Sequence, residues 1–207
     1  MIVDPRTLSP AAMYRFMIGA IVPRPIAFTS TVGPSGRFNV APFSYFIPIT
    51  NRPPLVGISI GSREGGPKDT LRNIRASGDF VVNIVDEPLA ARAVQASGDW
   101  PEDVSEFEIT GLTPAPSQLV KSPRVDESPV SFECRLHEEV ALGEATLVVG
   151  EIVLVHVADR VVSLGRVDVE KLQPVGRLGG DGYSVVREVL HLARPQVGGK
   201  TGAGGGA

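Results

Sequence analysis

From Val130 to His137 the sequence alternates without a break: Val130, Phe132, Cys134 and Leu136 are apolar, and Ser131, Glu133, Arg135 and His137 between them are polar. A period of two over eight residues fits an extended strand with one face in a core and the other in water. An apolar, β-branched run at 147–157 follows across Gly143, which pairs the two segments antiparallel. The same pattern holds upstream. Residues 26–32, the turn Gly33-Pro34-Ser35-Gly36 and residues 38–41 read as a hairpin, and 55–60 and 80–85 as further strands. Short helices are expected after Ser9-Pro10, with Met13, Phe16 and Met17 on the inner face before Gly19; at 69–77, with Leu71 and Ile74 inward and Gly78 as the stop; and from Pro88 to Ala96, with Leu89, Ala93 and Val94 on the apolar face. A proline-rich connection, 101–129, should pack as a loop across the body. Six or seven strands with a few short helices predict a mainly β chain, an antiparallel barrel and not a doubly wound sheet.

Composition narrows the class. The 207 residues are enough for one domain, assigned to 1–197, while the Gly-rich 198–207 segment has nothing to bury and is expected to be a flexible tail. With 23 glycines and 18 prolines, about a fifth of the chain is turn-forming. A net charge of -3 with no basic block excludes nucleic acid and acidic membrane surfaces as partners. The single cysteine, Cys134, excludes an intrachain disulfide framework and a cysteine zinc site. No basic segment followed by an apolar run opens the chain, and no apolar stretch nears the roughly 20 residues of a membrane helix. A cytoplasmic protein is expected.

The common hydrolytic patterns fail. His137-Glu138 lacks a second histidine at the metalloprotease spacing, and no Gly-x-Ser-x-Gly occurs. His137 and His156 are expected on strand surfaces without carboxylates at ligand spacing, so no metal site is expected. Cys134 reads as a small core hydrophobe. Gly199-Lys200-Thr201 is no phosphate loop, since Arg194 stands where the first glycine belongs.

The informative stretch lies between Arg24 and Thr70. Ser62-Arg63, Gly65-Gly66-Pro67 and Lys68-Asp69-Thr70 bring two cations, two hydroxyls and a helix start together, a combination suited to a phosphate dianion. Taken alone, the segment reads equally as a helix capped by Asp69 or Thr70 with solvated cations. Two further segments decide between these: Arg24-Pro25-Ile26-Ala27-Phe28-Thr29-Ser30-Thr31 and Asn39-Val40-Ala41-Pro42-Phe43-Ser44-Tyr45-Phe46. With Lys68-Asp69-Thr70 and Arg177-Leu178-Gly179-Gly180-x-x-Tyr183, they resemble the flavin reductase-like family of FMN-binding split barrels, in its flavoredoxin-like branch. The resemblance spans about Tyr14 to Tyr183.

That resemblance implies an antiparallel Greek-key split β-barrel, a homodimer, and noncovalent FMN near the subunit interface. It makes Arg63, Lys68 and Thr70 phosphate ligands, with Asp69 at the helix start and Ser62 nearby. It places Thr29, Ser30 and Thr31 along the cofactor cleft, and Asn39, Ala41, Pro42 and Ser44 along the isoalloxazine. Tyr45 and Phe46 either join them or pack the core, and Tyr183 either borders the substrate side or is structural. The chemistry then belongs to the flavin: NAD(P)H would supply hydride, and a flavin, a small molecule, a monooxygenase or another redox protein would accept the electrons. A noncatalytic FMN electron carrier and a barrel for another phosphorylated ligand are the competing readings.

Overall fold

The computed structural model describes residues 1–63, 66–101 and 103–195. The expected Gly-rich tail lies outside the described residues. Seven strands form one antiparallel sheet: β1 (Ala27–Val32), β2 (Phe38–Phe43), β3 (Phe46–Asn51), β4 (Pro54–Gly61), β5 (Asp79–Ile84), β6 (Val130–Leu142) and β7 (Ala145–Val157). Their order is β2-β1-β5-β6-β7-β4-β3, so the two edges are β2 and β3, consecutive in the chain. The fold is mainly β, as the periodicity predicts. A small sheet of Arg24–Pro25, Val175–Arg177 and Tyr183–Val185 stands beside it.

The period of two sorts the apolar residues into two layers. Ala27, Phe43, Phe46, Ile58, Phe80, Cys134 and Val148 fill the barrel, together with Leu71 and Ile74 of helix α2 (Asp69–Ser77). Phe28, Val40, Leu89, Ala93, Phe107 and Val125 form a second cluster on the outer face. Neighbours such as Ala27 and Phe28 thus serve opposite layers. Full burial of a ring such as Phe28 or Phe80 contributes roughly 1.5–3 kcal/mol. Phe80 fits because position 150 is glycine: a Cβ there would stand 2.3 Å from Phe80 Cζ, and the β6–β7 register shifts beside it. Cys134 is buried and free, with burial and then the neighbouring Glu133 pushing its thiol up, as suits a core residue.

Several expectations need correction. Ser9 caps α1 (Pro10–Ala20), its Oγ accepting the Ala12 N–H at 3.2 Å, but the helix buries Ile18 and leaves Phe16 and Met17 exposed. Helix α3 (Ala90–Gln95) is shorter than 88–96, and its Val94 is exposed. The connection after Pro101 packs across the body, yet it contains α4 (Glu106–Thr110) and a two-residue strand pair, 114–115 with 124–125. The polar face of β6 is wet only from Arg135 onward. Ser131 and Glu133 are buried because that connection lies over them. His156 is not a solvent-face residue either; its Nε2 lies 2.6 Å from Glu133 Oε1.

Three side chains on the outer faces of β5 and β6 hold the connection's backbone. Asp79 accepts the N–H groups of Lys121 and Ser122, both at 3.1 Å, and the Ser122 hydroxyl at 2.7 Å. Asn83 accepts the Val125 N–H at 2.9 Å and donates to Phe28 C=O at 2.9 Å. Glu133 accepts the N–H groups of Gln118 and Leu119 at 2.7 and 2.6 Å. Burial pushes the Glu133 carboxyl up, but the hydrogen bonds from Gln118, His156 and Leu119 outweigh it and hold the group below its ordinary 4.5.

A carboxylate held low contributes stability that is complete above its unfolded-state pKa and lost as pH falls through its native value. Glu133→Gln, which sets an amide NH2 among donors, should lower the unfolding free energy at neutral pH by about 2–3 kcal/mol. It should also shrink the stability lost between about pH 6 and about pH 3. Urea melts across that range measure both; a variant matching the wild type throughout would remove Glu133 from this role.

Candidate functional site

Because β2 is an edge strand, alternate backbone groups along it face away from the sheet. The outward Val40 N–H is taken by Glu106 Oε2 at 3.1 Å, and two residues on Pro42 has no N–H. Beside this edge lie three neighbouring hollows, all lined by Pro42. The first holds Asn39, Ala41, Pro42, Arg63, Lys68, Asp69 and Thr70 on one side and Ser97, Trp100 and Glu106 on the other. The second runs from Pro42 and Ser44 past Tyr14 and Val94 to Arg177 and Tyr183. The third lies under α1, between Met13 and Met17 on one side and Ser44, Tyr45, Ser59 and Ser62 on the other.

The first hollow gathers two cations, Arg63 and Lys68, with two carboxylates, Asp69 and Glu106, at the start of a helix. Helix α2 begins at Asp69 with Lys68 as its N-cap residue, and no described side chain caps it. Its first N–H groups and the positive end of its dipole therefore face the hollow. Neither Asp69 nor Thr70 acts as the cap. Asp69 instead pairs with Arg63 at 3.1 Å and with Arg72, and Lys68 Nζ stands 5.7 Å from the Phe43 ring centroid. Thr70 Oγ1 donates to Asn39 Oδ1 at 3.4 Å, while Asn39 Nδ2 donates to Glu106 Oε2 at 3.0 Å. Burial, first, and then the nearby Asp69 push the Glu106 carboxyl up against the hydrogen bonds it accepts.

Of the residues singled out in the sequence, Asn39, Ala41, Pro42, Arg63, Lys68, Asp69 and Thr70 meet in this one hollow, and Ser44 continues from it. Ser62 lies in the third hollow, its hydroxyl donating to Glu144 C=O at 2.9 Å. Thr29, Ser30 and Thr31 are fully buried. Their hydroxyls bond internally: Thr29 to Ala27 C=O, Ser30 to Pro123 C=O, and Thr31 as acceptor from Asn73. Tyr45 lines two hollows, whereas Phe46 is core. Tyr183 lines the second hollow with its hydroxyl on Arg177, whose guanidinium carbon lies 4.4 Å from the ring centroid. Arg177 also donates to Gly180 C=O at 2.6 Å, closing the Gly179-Gly180 turn. Among the described residues no group of three or more His, Cys, Asp or Glu could hold a metal ion, and no helix is long and apolar enough to cross a membrane.

Glu106 and Trp100 escape the sequence reading, which includes Arg24 in a motif but assigns it no role. Arg24 is buried and its guanidinium donates to Ile18 C=O at 2.8 Å, Ile21 C=O at 2.9 Å and Leu178 C=O at 2.9 Å. It thereby ties the end of α1 to the Gly179-Gly180 turn.

The family model for the flavin reductase like domain matches residues 18–165. The chain belongs to the flavin reductase-like family. An uncharacterized protein of Halalkalibacterium halodurans is 40% identical over 201 residues, covering 94% of this chain and 96% of its own. Nitrilotriacetate monooxygenase component B from Bacillus cereus superposes with a TM-score of 0.90 at 34% identity, over 93% of this chain and 98% of that one. Flavoredoxin of Desulfovibrio vulgaris (Miyazaki F) superposes with a TM-score of 0.77 at 25% identity, over 93% of this chain and 96% of that one. The barrel is the split barrel of flavin reductases, and membership implies a flavin ligand.

Trp100 is the chain's one tryptophan and it lines the first hollow. A flavin entering there should quench most of its emission by energy transfer, and Trp100→Phe should abolish that signal while leaving binding measurable through the flavin's own fluorescence. Saturable flavin binding with unquenched tryptophan emission would put the ligand elsewhere.

Proposed function

We propose that the chain is an FMN-dependent oxidoreductase, taking electrons from NADH or NADPH and delivering them to a flavin, a small-molecule acceptor, or a partner monooxygenase or redox protein. The carrying observation is the start of α2, which no described side chain caps, with Lys68, Arg63 and the Thr70 hydroxyl gathered at one end of a trough along β2. Such an arrangement favours a terminal phosphate monoester over an uncharged flavin. The resemblance of 39–46 to the family's flavin-binding motif supports placing the ring system along Ala41, Pro42 and Ser44, where an edge strand offers backbone groups. FMN, when bound, would supply hydride acceptance and electron storage. The protein's own part is to bind, orient and shield. The likeness to a monooxygenase component favours delivery to a partner enzyme. The likeness to a flavoredoxin favours a second reading, an FMN electron carrier reduced by another protein.

The active unit is a homodimer on this proposal. Phe16, Met17 and Ile21 of the α1 region, with Tyr45 before β3 and Ile47 and Ile49 within it, leave an apolar face uncovered, with Ile21 59% and Ile47 55% exposed. Met17, Ile21, Tyr45 and Ile47 line one continuous apolar hollow there. A face of this kind is a protein-interaction surface on physical grounds, and a second copy is the occupant the family resemblance names. A free, buried cysteine suits a reducing, cytoplasmic setting.

Anaerobic mixing of FMN-loaded protein with NADH, and separately with NADPH, should bleach the oxidised flavin band rapidly with at least one donor. Persistent yellow colour with both would leave the carrier reading. Lys68→Ala should weaken FMN about tenfold or more and riboflavin little, because only FMN carries the charge; equal losses would remove Lys68 from the phosphate end. Ile47→Asp should convert a dimer to a monomer in sedimentation, and a wild type that sediments as a monomer would refute the dimer.

A further inference from the structure

The second hollow carries a charge that no described residue balances. Arg177 alone among its lining residues is charged, and Ile26, Val85, Ala93 and Val175 there belong to the outer-face core cluster. Arg177 sits on the central strand of the small sheet, paired directly with Arg24 on one side and Tyr183 on the other. Direct partners in an antiparallel pair share a face, so two guanidinium groups stand side by side on one face of this sheet, an arrangement that costs stability. Arg24 donates to three neutral carbonyl oxygens and the Ser44 hydroxyl, and Arg177 to Gly180 C=O and the Tyr183 hydroxyl. Neither has a carboxylate partner among the described residues. A guanidinium holds five N–H donors in one plane, so most of those on Arg177 remain for a ligand, and the stack on the Tyr183 ring fixes the plane.

We propose that the second hollow binds a small, flat carboxylic acid as its anion, with Arg177 pairing with the carboxylate and the core-cluster residues taking the apolar body. A single cation matches a monoanion, whereas a phosphate dianion is better served by the two cations and helix start of the first hollow. The cavity measures about 190 Å³, below the roughly 300–1,000 Å³ of pockets that take drug-sized ligands, which limits it to a small molecule. The rings of Tyr14 and Tyr183 in its lining favour a flat one. Partial desolvation strengthens the ion pair relative to water, and the incoming charge offsets the Arg24–Arg177 repulsion. The inference rests on the FMN reading in one respect: Pro42 and Ser44 line this hollow as well as the proposed position of the ring, so the acid would lie against the flavin.

Benzoate and its uncharged isostere benzamide are the probes, titrated calorimetrically into protein saturated with FMN. Wild type should bind benzoate about tenfold or more tightly than benzamide, and only the benzoate affinity should fall as salt is raised. Lys68→Ala should keep this preference. Arg177→Met should erase it while benzamide binds as before, which also shows that the hollow has kept its shape. Val94→Trp, which fills the hollow from the exposed side of α3, should block benzoate without touching the Gly179-Gly180 turn that Arg177 closes. Equal binding of the two probes by wild type would overturn the proposal, as would a preference that follows Lys68 in place of Arg177 or benzoate binding that survives Val94→Trp. Benzoate displaced by FMN would give the hollow to the ring and overturn it too. Wild type that takes up no FMN would sink the FMN reading alone, since the preference for benzoate is measurable in the FMN-free protein.

Discussion

The chain crosses from one edge of its sheet to the other in two residues, Ser44 and Tyr45, and the site's location follows from that crossing. β2 and β3 are the outermost strands, yet they are adjacent in sequence. The barrel therefore cannot close between them by a full ladder, and a slit remains where backbone groups lack sheet partners. Proteins ordinarily blunt such edges. Here Pro42 removes one donor and Glu106 occupies another at Val40, while Tyr45 C=O is taken by the Ser59 N–H at 2.9 Å. What stays available is a short, well-positioned run beside Ala41 and Ser44, with α2 starting at one end and the 175–185 sheet standing at the other.

One wall of that slit comes from a segment with little regular structure of its own. Residues 101–129 are rich in proline, so their backbone must find partners outside ladders. Asp79, Asn83 and Glu133 supply them from the outer faces of β5 and β6. These three polar groups are buried at positions where an isolated barrel would show water. Once the segment is pinned, Ser105 donates to Phe38 C=O at 2.7 Å and α4 lies against β2. Glu106 then reaches Asn39 and Val40. A polar row on one side of the barrel thus sets the geometry of the trough on another.

The sequence carried the parts of this design that depend on local periodicity. Alternation marked β6, its apolar partner β7 and the β1–β2 hairpin, and α2 was legible to the residue because Gly78 ends it at φ 74°. β3 was missed because Ile47-Pro48-Ile49 reads as a broken strand, and an edge is where proline is tolerated. The orientation of α1 was illegible since Met13, Phe16, Met17, Ile18 and Ile21 surround the helix, and an apolar helix does not say which stripe is inward. Glu133 looked wet because period two reports the sheet's own faces and nothing that later covers them. The hydroxyls of Thr29, Ser30 and Thr31 have ligand-like chemistry whether they meet a ligand or, as here, Ala27, Pro123 and Asn73. Glu106 had no local signal beyond a serine before it; its role exists only once α4 and β2 meet.

Charge, more than shape, separates the ends of the trough. Toward α2, Arg63, Lys68 and the helix dipole gather around Asp69. Toward the second hollow the lining turns to Tyr14, Val94 and Tyr183, with Arg177 committed to the Tyr183 hydroxyl and Gly180 C=O. On the proposed function, a ligand that is anionic at one end and flat and largely apolar at the other would be oriented before any specific contact to its middle is made. Pro42 and Ser44 sit where these surfaces join, on a strand fixed by its ladder to β1. The join is thus carried by a rigid element, and the flanking turns and helices, which tolerate change more readily, are free to set what enters from either side.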